Sequence, residues 1–167
     1  MAEIDDGVLT EQHLGLFGSI VQWFAQYELT MRRAIAGIMR TELPSVVVLT
    51  RELDFGQKRA ALLDLMKVRS VPYDHWERIF AYLAVPSARV QLRDQIVRST
   101  WRLSPEPRSI QPNWILQLPA GIEPANSGPV SNNASYSLEM LRQIAADLAE
   151  SHERLTAYLA EAGFLAS

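Results

Sequence analysis

Apolar residues recur every three or four positions in the N-terminal quarter of the chain, and this spacing predicts a long helix over roughly 10–41. Glu28 is the one polar residue at a position of this seam where the spacing predicts an apolar side chain. A second apolar set covers the neighbouring face of the helix. We therefore expect the helix either to lie centrally or to serve an oligomer interface. The first set is Leu14, Phe17, Val21, Phe24, Met31, Ile35 and Ile38, and the second is Leu16, Ile20, Trp23 and Tyr27.

The next segment contains a short β-branched run and a helix start. The run at 46–48 follows Pro44, has no alternating partner nearby, and is interpreted as a connector. Asp54 followed by Gln57 matches a capping box, in which each side chain binds the other residue's backbone N–H. The pattern after it predicts a second helix through about Lys67.

Two more helices are predicted before residue 102. Asp74 and Glu77 repeat the capping pattern and open a short helix that we expect to end before Pro86. Ser87 is a candidate cap for a fourth helix. In that helix Val90, Arg93, Val97 and Trp101 share one face, and Leu92 and Ile96 lie on an adjacent one.

A proline-rich insertion over about 104–134 interrupts the helical periodicity. Within it, 113–118 is the one stretch that reads as a strand, as one arm of a small hairpin, and we expect the insertion to be pinned at Trp114. Ser135 or Ser137 then caps a final helix, whose apolar seam contains one polar residue, His152.

Length and composition limit the classes of protein to consider. A chain of 167 residues predicts a single domain over 1–167 that needs no covalent staple. Without cysteine and with three separated histidines, disulfide frameworks and thiolate zinc sites are excluded, and we expect neither metal nor cofactor. The acidic N-terminus and the short apolar runs predict a cytoplasmic protein with no membrane partner. The net charge of −3 argues against broad non-specific DNA binding.

The fourth helix contains the most specific motif. It reads Arg93-Asp94-Gln95-Ile96-Val97-Arg98-Ser99-Thr100-Trp101 and resembles the HEPN superfamily, many of whose members read R-N-x-I-A-H-S-x-W. Arg93, Asp94, Ile96, Ser99 and Trp101 match that pattern, whereas Arg98 stands where the family has His. The resemblance implies an all-α, HEPN-like bundle of about five helices, with the proline-rich loop and a small hairpin before the last helix.

The resemblance also implies a chemistry and a set of roles. HEPN nucleases are metal-independent endoribonucleases, usually dimers, whose motif helices line one cleft. Arg93 would then contact the scissile phosphate, and Asp94 would orient its neighbours. The family's His serves in proton transfer, but Arg98 stays protonated near neutral pH and is a poor general base. The resemblance therefore implies a degenerate ribonuclease site that still holds a phosphate.

Structural interpretations compete with these roles. Asp94 and Arg98 have the spacing of a surface ion pair, and Arg93, on an apolar face, needs either a partner or a cleft. Glu28 needs a partner too: it either meets Arg93 or Arg98, or forms a structural ion pair, or reaches solvent. His152 is more often a hydrogen-bonded histidine than a replacement base. We expect His13, before the first helix, and His75, at a helix start, to be solvated.

Two functions remain open at this point. The first is a toxin-type or defence-type HEPN-like protein, a homodimer formed through the long helix and the motif helix, that binds RNA or a nucleotide at a degenerate site. The second is a non-catalytic helical module for dimerisation or for binding a protein partner. A base-stacking platform of exposed aromatic residues between Lys or Arg is absent from the sequence.

Overall fold

The chain is mainly helical, as expected, with one small sheet. The computed structural model describes residues 8–113 and 134–165, and these contain six helices and three strands. The helices are α1 (Glu11–Met39), α2 (Leu43–Thr50), α3 (Phe55–Val68), α4 (Tyr73–Ser87), α5 (Val90–Arg98) and α6 (Leu138–Glu161). The strands are β1 (Thr100–Leu103), β2 (Ser109–Asn113) and β3 (Tyr136–Ser137).

The described chain divides into two compact units, each built from separate parts of the sequence. Unit 1 contains the described residues of 1–21 and 91–145, and unit 2 contains those of 22–90 and 146–167. The prediction of one domain over 1–167 stays a prediction.

Unit 2 is built around apolar residues of five helices. Its buried side chains are Phe24, Tyr27, Met31 and Ile35 of α1, Val46 of α2, Phe55, Leu62 and Met66 of α3, Ile79 and Leu83 of α4, and Leu148, Leu155 and Leu159 of α6. Tyr27 is fully buried, and its hydroxyl donates to the carbonyl of Leu148 at 3.0 Å. Burial raises the pKa of Tyr27 to about 12, so the phenol keeps the proton that it donates. The second apolar face of α1, to which Tyr27 belongs, is thus used for packing within the chain.

Unit 1 contains the sheet. Its strands are antiparallel in the order β1-β2-β3, and Trp101 of β1 lies opposite Pro112 of β2. The indole of Trp101 packs against Phe17 of α1, with ring centroids 4.6 Å apart, and against Tyr136 of β3 at 5.9 Å. A hairpin of β1 and β2 therefore does precede the last helix. The strand expected at 113–118 overlaps it only at Asn113, and the rest of that segment, with Trp114, lies outside the described residues.

Two helix starts form as the sequence predicts. The Asp54 carboxylate accepts from the Gln57 N–H at 2.7 Å, and the Gln57 side chain accepts from the Asp54 N–H at 2.9 Å. At α6, the Ser137 hydroxyl accepts from the Met140 N–H at 3.2 Å, so Ser137 rather than Ser135 is the cap. Both signals lie within four residues of sequence, which is why they can be recognised without the fold.

The interpretation of 46–48 as a connector is wrong, because these residues lie in the middle of α2. Pro44 is compatible with the helix because it occupies the first turn, where its missing N–H has no helical acceptor. Val46 and Thr50 are the buried residues of α2, one turn apart, and the Thr50 hydroxyl donates to the Val46 carbonyl at 2.8 Å. Packing against the rest of unit 2 overrides the low helix propensity of three successive valines.

The predicted limits of the next helix are wrong at both ends. At its start, Pro72 is the capping residue, Asp74 lies in the first turn, and no side chain caps the helix. At its end, α4 continues through Pro86, which has no N–H to donate to the Tyr82 carbonyl four residues earlier. The hydroxyl of Ser151, on α6, donates to that carbonyl at 2.9 Å. A contact with α6 thus supplies a donor that the helix itself lacks.

Ser87 does not cap the following helix, because it is the last residue of α4. Its hydroxyl donates to the Leu83 carbonyl at 2.5 Å and accepts from Arg59 of α3 at 2.7 Å. The side chain is therefore engaged within unit 2.

Candidate functional site

The motif helix α5 turns a different face inward from the one that its apolar residues suggested. Its buried residues are Leu92 and Gln95, whereas Val97 is exposed. The helix ends at Arg98, and Trp101 lies beyond it in β1, so Val90, Arg93, Val97 and Trp101 do not form one buried helical face. Leu92 and Gln95, three residues apart, form the inward face of α5. A polar residue therefore occupies a core position.

Gln95 is a buried polar residue of α5 whose role the sequence pattern did not indicate. Its amide is almost fully buried, and its oxygen accepts from the hydroxyl of Tyr136 on β3 at 3.1 Å. A buried amide without partners is costly, so this hydrogen bond stabilises the packing of α5 against β3. The sequence signal for the burial of Gln95 is its spacing, because residues three positions apart, such as Leu92 and Gln95, lie on the same helical face.

Arg93 and Asp94 form an ion pair. The Nε of Arg93 lies 3.3 Å from a carboxylate oxygen of Asp94, and the two side chains are 25% and 37% exposed. Arg93 is thus paired, one of the two situations expected for it. The surface pair between Asp94 and Arg98, suggested by their four-residue spacing, is absent from the ion pairs of the described residues.

Arg98 differs from Arg93 in both position and charge balance. It is exposed at the C-terminal end of α5 and forms no ion pair within residues 8–113 and 134–165. Arg98 lies five positions after Arg93, which corresponds to about 140° around the helix axis. The two guanidinium groups therefore leave α5 in different directions, and Arg98 presents its positive charge to solvent.

The strand β1, which follows α5, also carries polar side chains. Arg102 of β1 lies opposite Gln111 of β2, and the Gln111 amide, oriented with its oxygen towards the guanidinium, accepts from Arg102 Nε at 2.6 Å and from Nη2 at 2.9 Å. Between Arg98 and Arg102 in the sequence, the Ser99 hydroxyl and the Trp101 indole N–H are buried without a hydrogen-bond partner among the described residues. The motif segment thus combines exposed cations with buried polar atoms.

Glu28 lies in unit 2, and its position in the apolar seam of α1 is explained by two cations. Its carboxylate accepts from Lys58 Nζ of α3 at 2.9 Å and lies 3.9 Å from Arg32 Nη2, one helical turn further along α1. Lys58 also donates to the Leu53 carbonyl, and Arg32 donates to the Thr50 hydroxyl at 3.1 Å. This network connects α1, α2 and α3, and it corresponds to the structural ion pair considered for Glu28.

His152 also belongs to unit 2 and is held between α1 and α6. Its Nε2 lies 3.0 Å from the hydroxyl of Thr30, and a second hydrogen bond goes to the backbone of Gln26. Its ring lies against Trp23 and Tyr27. Burial lowers the pKa of His152, against smaller opposing effects of the Gln26 hydrogen bond and of Glu153. These contacts describe a hydrogen-bonded structural histidine.

The other two histidines are more enclosed than expected. His13 lies inside α1, is buried, and contacts the Thr10 hydroxyl at 2.9 Å, and burial lowers its pKa. His75 is half-buried in the first turn of α4 and contacts the Tyr158 hydroxyl at 2.7 Å. The expectation that His13 is solvated is wrong because the residue lies in the first turn of α1, where its ring is buried and held by Thr10.

The lowered pKa of His152 predicts a loss of stability in mild acid. The unfolded chain takes up a proton near pH 6.5, before the folded chain does, so the stability that neutral His152 contributes is present above that pH and is lost as pH falls through the folded pKa. We expect the melting temperature to fall between pH 7.5 and pH 5, and to fall less in His152→Gln. Thermal unfolding followed by circular dichroism at each pH measures this difference.

Ser19→Ala, at an exposed position with no titratable group, is the matched control and should keep the wild-type profile. His13→Gln should reduce the pH dependence in the same direction, because burial lowers that pKa as well. A His152→Gln profile parallel to the wild type would contradict the assignment of the acid loss to this residue.

The predicted site residues fall into two groups. Arg93, Asp94 and Arg98 lie together on α5 in unit 1, whereas Glu28 and His152 lie in unit 2. Across the described residues, no helix combines the length and apolar character needed to cross a bilayer. Comparisons of the chain with protein-family models, with curated proteins and with solved structures found no match.

Proposed function

We propose that this chain is an HEPN-like protein that binds a phosphate-bearing ligand, RNA or a nucleotide, through α5 and lacks the proton-transfer residue for cleavage. The observation that carries the proposal is the exposed guanidinium of Arg98, which has no ion-pair partner in the described part of the chain. It stands at the motif position that holds His in the resembling family. A toxin-type or defence-type context and a homodimer belong to the same proposal.

The two motif arginines support different parts of this function. A guanidinium can hold a phosphate bidentately and remains charged at all physiological pH values. Arg98 is available for such a contact, whereas the charge of Arg93 is already balanced by Asp94. The first contact with a phosphate is therefore assigned to Arg98, and Arg93 would add to it by exchanging Asp94 for the ligand.

A non-catalytic interaction module is the second candidate, and one observation favours it. Helix α2 carries three consecutive apolar residues that are exposed, Val47, Val48 and Leu49. Val48 lies opposite the buried Val46 and is flanked by the other two, and an apolar outer side of this kind is typical of a protein-binding surface. The two candidates differ in what they require of Arg98, because only the first needs its charge.

Removal of the Arg98 charge should weaken RNA binding. We expect Arg98→Ala to reduce the affinity for a fluorescent single-stranded RNA about three- to tenfold at 50 mM salt, and to lower the slope of log affinity against log salt by about 0.7, as for one lost phosphate contact. Fluorescence anisotropy titrations at three salt concentrations measure both quantities.

Arg33→Ala is the matched control, since Arg33 is an exposed arginine of α1 in unit 2 and forms no ion pair among the described residues. It should leave the affinity within about twofold of the wild type. Equal effects of the two variants, or no measurable binding by the wild type, would favour the interaction module.

A further inference from the structure

Helix α2 exposes most of its apolar surface. It buries Val46 and Thr50, whereas Val47, Val48 and Leu49 are 38%, 64% and 69% exposed. Successive helical residues are about 100° apart, so Val48 lies opposite the buried Val46 and is flanked by Val47 and Leu49, which leaves the outer side of α2 largely apolar. Valine is also a weak helix former, so helix propensity does not account for its repeated use here.

Charged residues of both signs border this apolar surface at each end of α2. Arg40 and Glu42 precede the helix and form no ion pair within the described chain. Arg51 and Glu52 follow it and form an exposed pair at 3.0 Å. An apolar centre with a charged rim is the usual anatomy of a protein interface.

We propose that α2 binds α2 of a second copy of this chain, antiparallel and across a two-fold axis. In this arrangement Glu42 and Arg40, at the start of one helix, lie beside Arg51 and Glu52 of the partner subunit, at the end of the other helix. The antiparallel order also opposes the two helix dipoles favourably. A parallel pair would instead place Glu42 beside Glu42 of the partner subunit, and Arg40 beside its own copy.

The same charges disfavour other occupants. Helices that lie on anionic membranes have polar faces rich in Lys and Arg, whereas the rim of α2 has as many acids as bases. A partner of one predominant charge would meet repulsion at both ends. Self-association in a closed two-fold pair satisfies both ends at once, and it is the commonest symmetry among soluble oligomers.

The surface differs from the one that the sequence suggested for a homodimer. Most apolar residues of α1 pack within the chain, whereas α2 exposes three large apolar side chains in succession. The inference does not rest on phosphate binding by α5, because its variants change only α2 and the residues that flank it. Sedimentation and RNA titration can therefore fail independently.

The first test changes the apolar centre. We expect the full chain to sediment at twice its mass of 18.8 kDa and Val48→Glu to raise the dimer dissociation constant at least about tenfold. Val68→Glu is the matched control, because Val68 is 80% exposed at the end of α3. It should shift the constant less than twofold. Circular dichroism confirms that both exposed-site variants keep their helix content.

The second test uses charge-reversal variants to determine whether the two helices are antiparallel. Glu42→Arg and Arg51→Glu each place like charges at both ends of the pair, and each should weaken the homodimer. A 1:1 mixture of the two single variants should form a heterodimer, because all the Arg of one then face the Glu of the other. Sedimentation of the separate and mixed variants measures this rescue.

Three results would overturn the proposal. They are a wild type that remains monomeric at 100 μM, a Val48→Glu variant as dimeric as the wild type, and mixed charge variants that stay monomeric. Binding of wild-type monomer to phosphatidylserine vesicles, lost in Val48→Glu, would assign the surface to membranes instead.

Discussion

Arg98→His is expected to introduce RNA cleavage into this chain, at least about 100-fold above the wild-type rate. The substitution restores the residue that the HEPN resemblance places at this position. Histidine can transfer a proton near neutral pH, whereas arginine cannot, and a positioned general acid or base contributes about 10²- to 10⁴-fold to a rate. Cleavage of a fluorogenic RNA in the presence of a metal chelator measures the gain, since the implied mechanism needs no metal.

Two variants separate proton transfer from other effects of the substitution. Arg98→Gln also removes the charge but cannot transfer a proton, so it should remain at background. Arg93→Ala combined with Arg98→His should lose most of the new activity, because the resemblance assigns phosphate contact to Arg93. A pH profile with an inflection near the histidine pKa is the expected signature. If Arg98→His and Arg98→Gln cleave equally, the HEPN-like reading of α5 is wrong.

Glu28→Gln is expected to destabilise the fold by about 3 kcal/mol. The substitution keeps the shape of the side chain but removes the charge opposite Lys58, whose side chain is only 4% exposed. An ammonium group left in such a place without a counter-charge is strongly destabilising. The free energy of unfolding in urea gives the loss directly.

A double variant tests whether the charge or the packing matters. Glu28→Leu with Lys58→Met replaces the pair by apolar side chains of similar size, and it should recover most of the stability lost in Glu28→Gln. Asp64→Asn is the exposed-pair control, since Lys67 and Asp64 are 3.1 Å apart but largely solvated. It should cost less than about 1 kcal/mol. A Glu28→Gln variant no less stable than this control would contradict the role given to the buried network.

The parts of the fold that sequence reasoning recovered are those with local signals. The seam of α1, the Asp54 capping box and the Ser137 cap all depend on residues a few positions apart. The wrong predictions concern elements whose structure depends on contacts with distant parts of the chain. Helix α2 forms despite three valines because Val46 and Thr50 are buried, and α4 passes Pro86 because α6 supplies a hydrogen-bond donor.

The candidate site shows the same division. The residue pattern predicted a helix that contains Arg93, Asp94 and Arg98, and the structure places all three on α5. Which face of α5 is buried depends on β3, since Tyr136 binds Gln95 from 41 residues away. Likewise Lys58, thirty positions along the chain, is the partner that accounts for Glu28. No spacing rule within a single helix could have named either partner.

The hydrogen bond from Ser151 to the Tyr82 carbonyl has a consequence for the order in which the chain is made. The donor and the acceptor are 69 residues apart, and α6 is synthesised well after α4. Helix α4 emerges long before this donor exists, so the carbonyl that Pro86 leaves without its helical donor depends on water until α6 arrives. The last turn of α4 therefore gains its full set of hydrogen bonds only once α6 has been made and has packed against it.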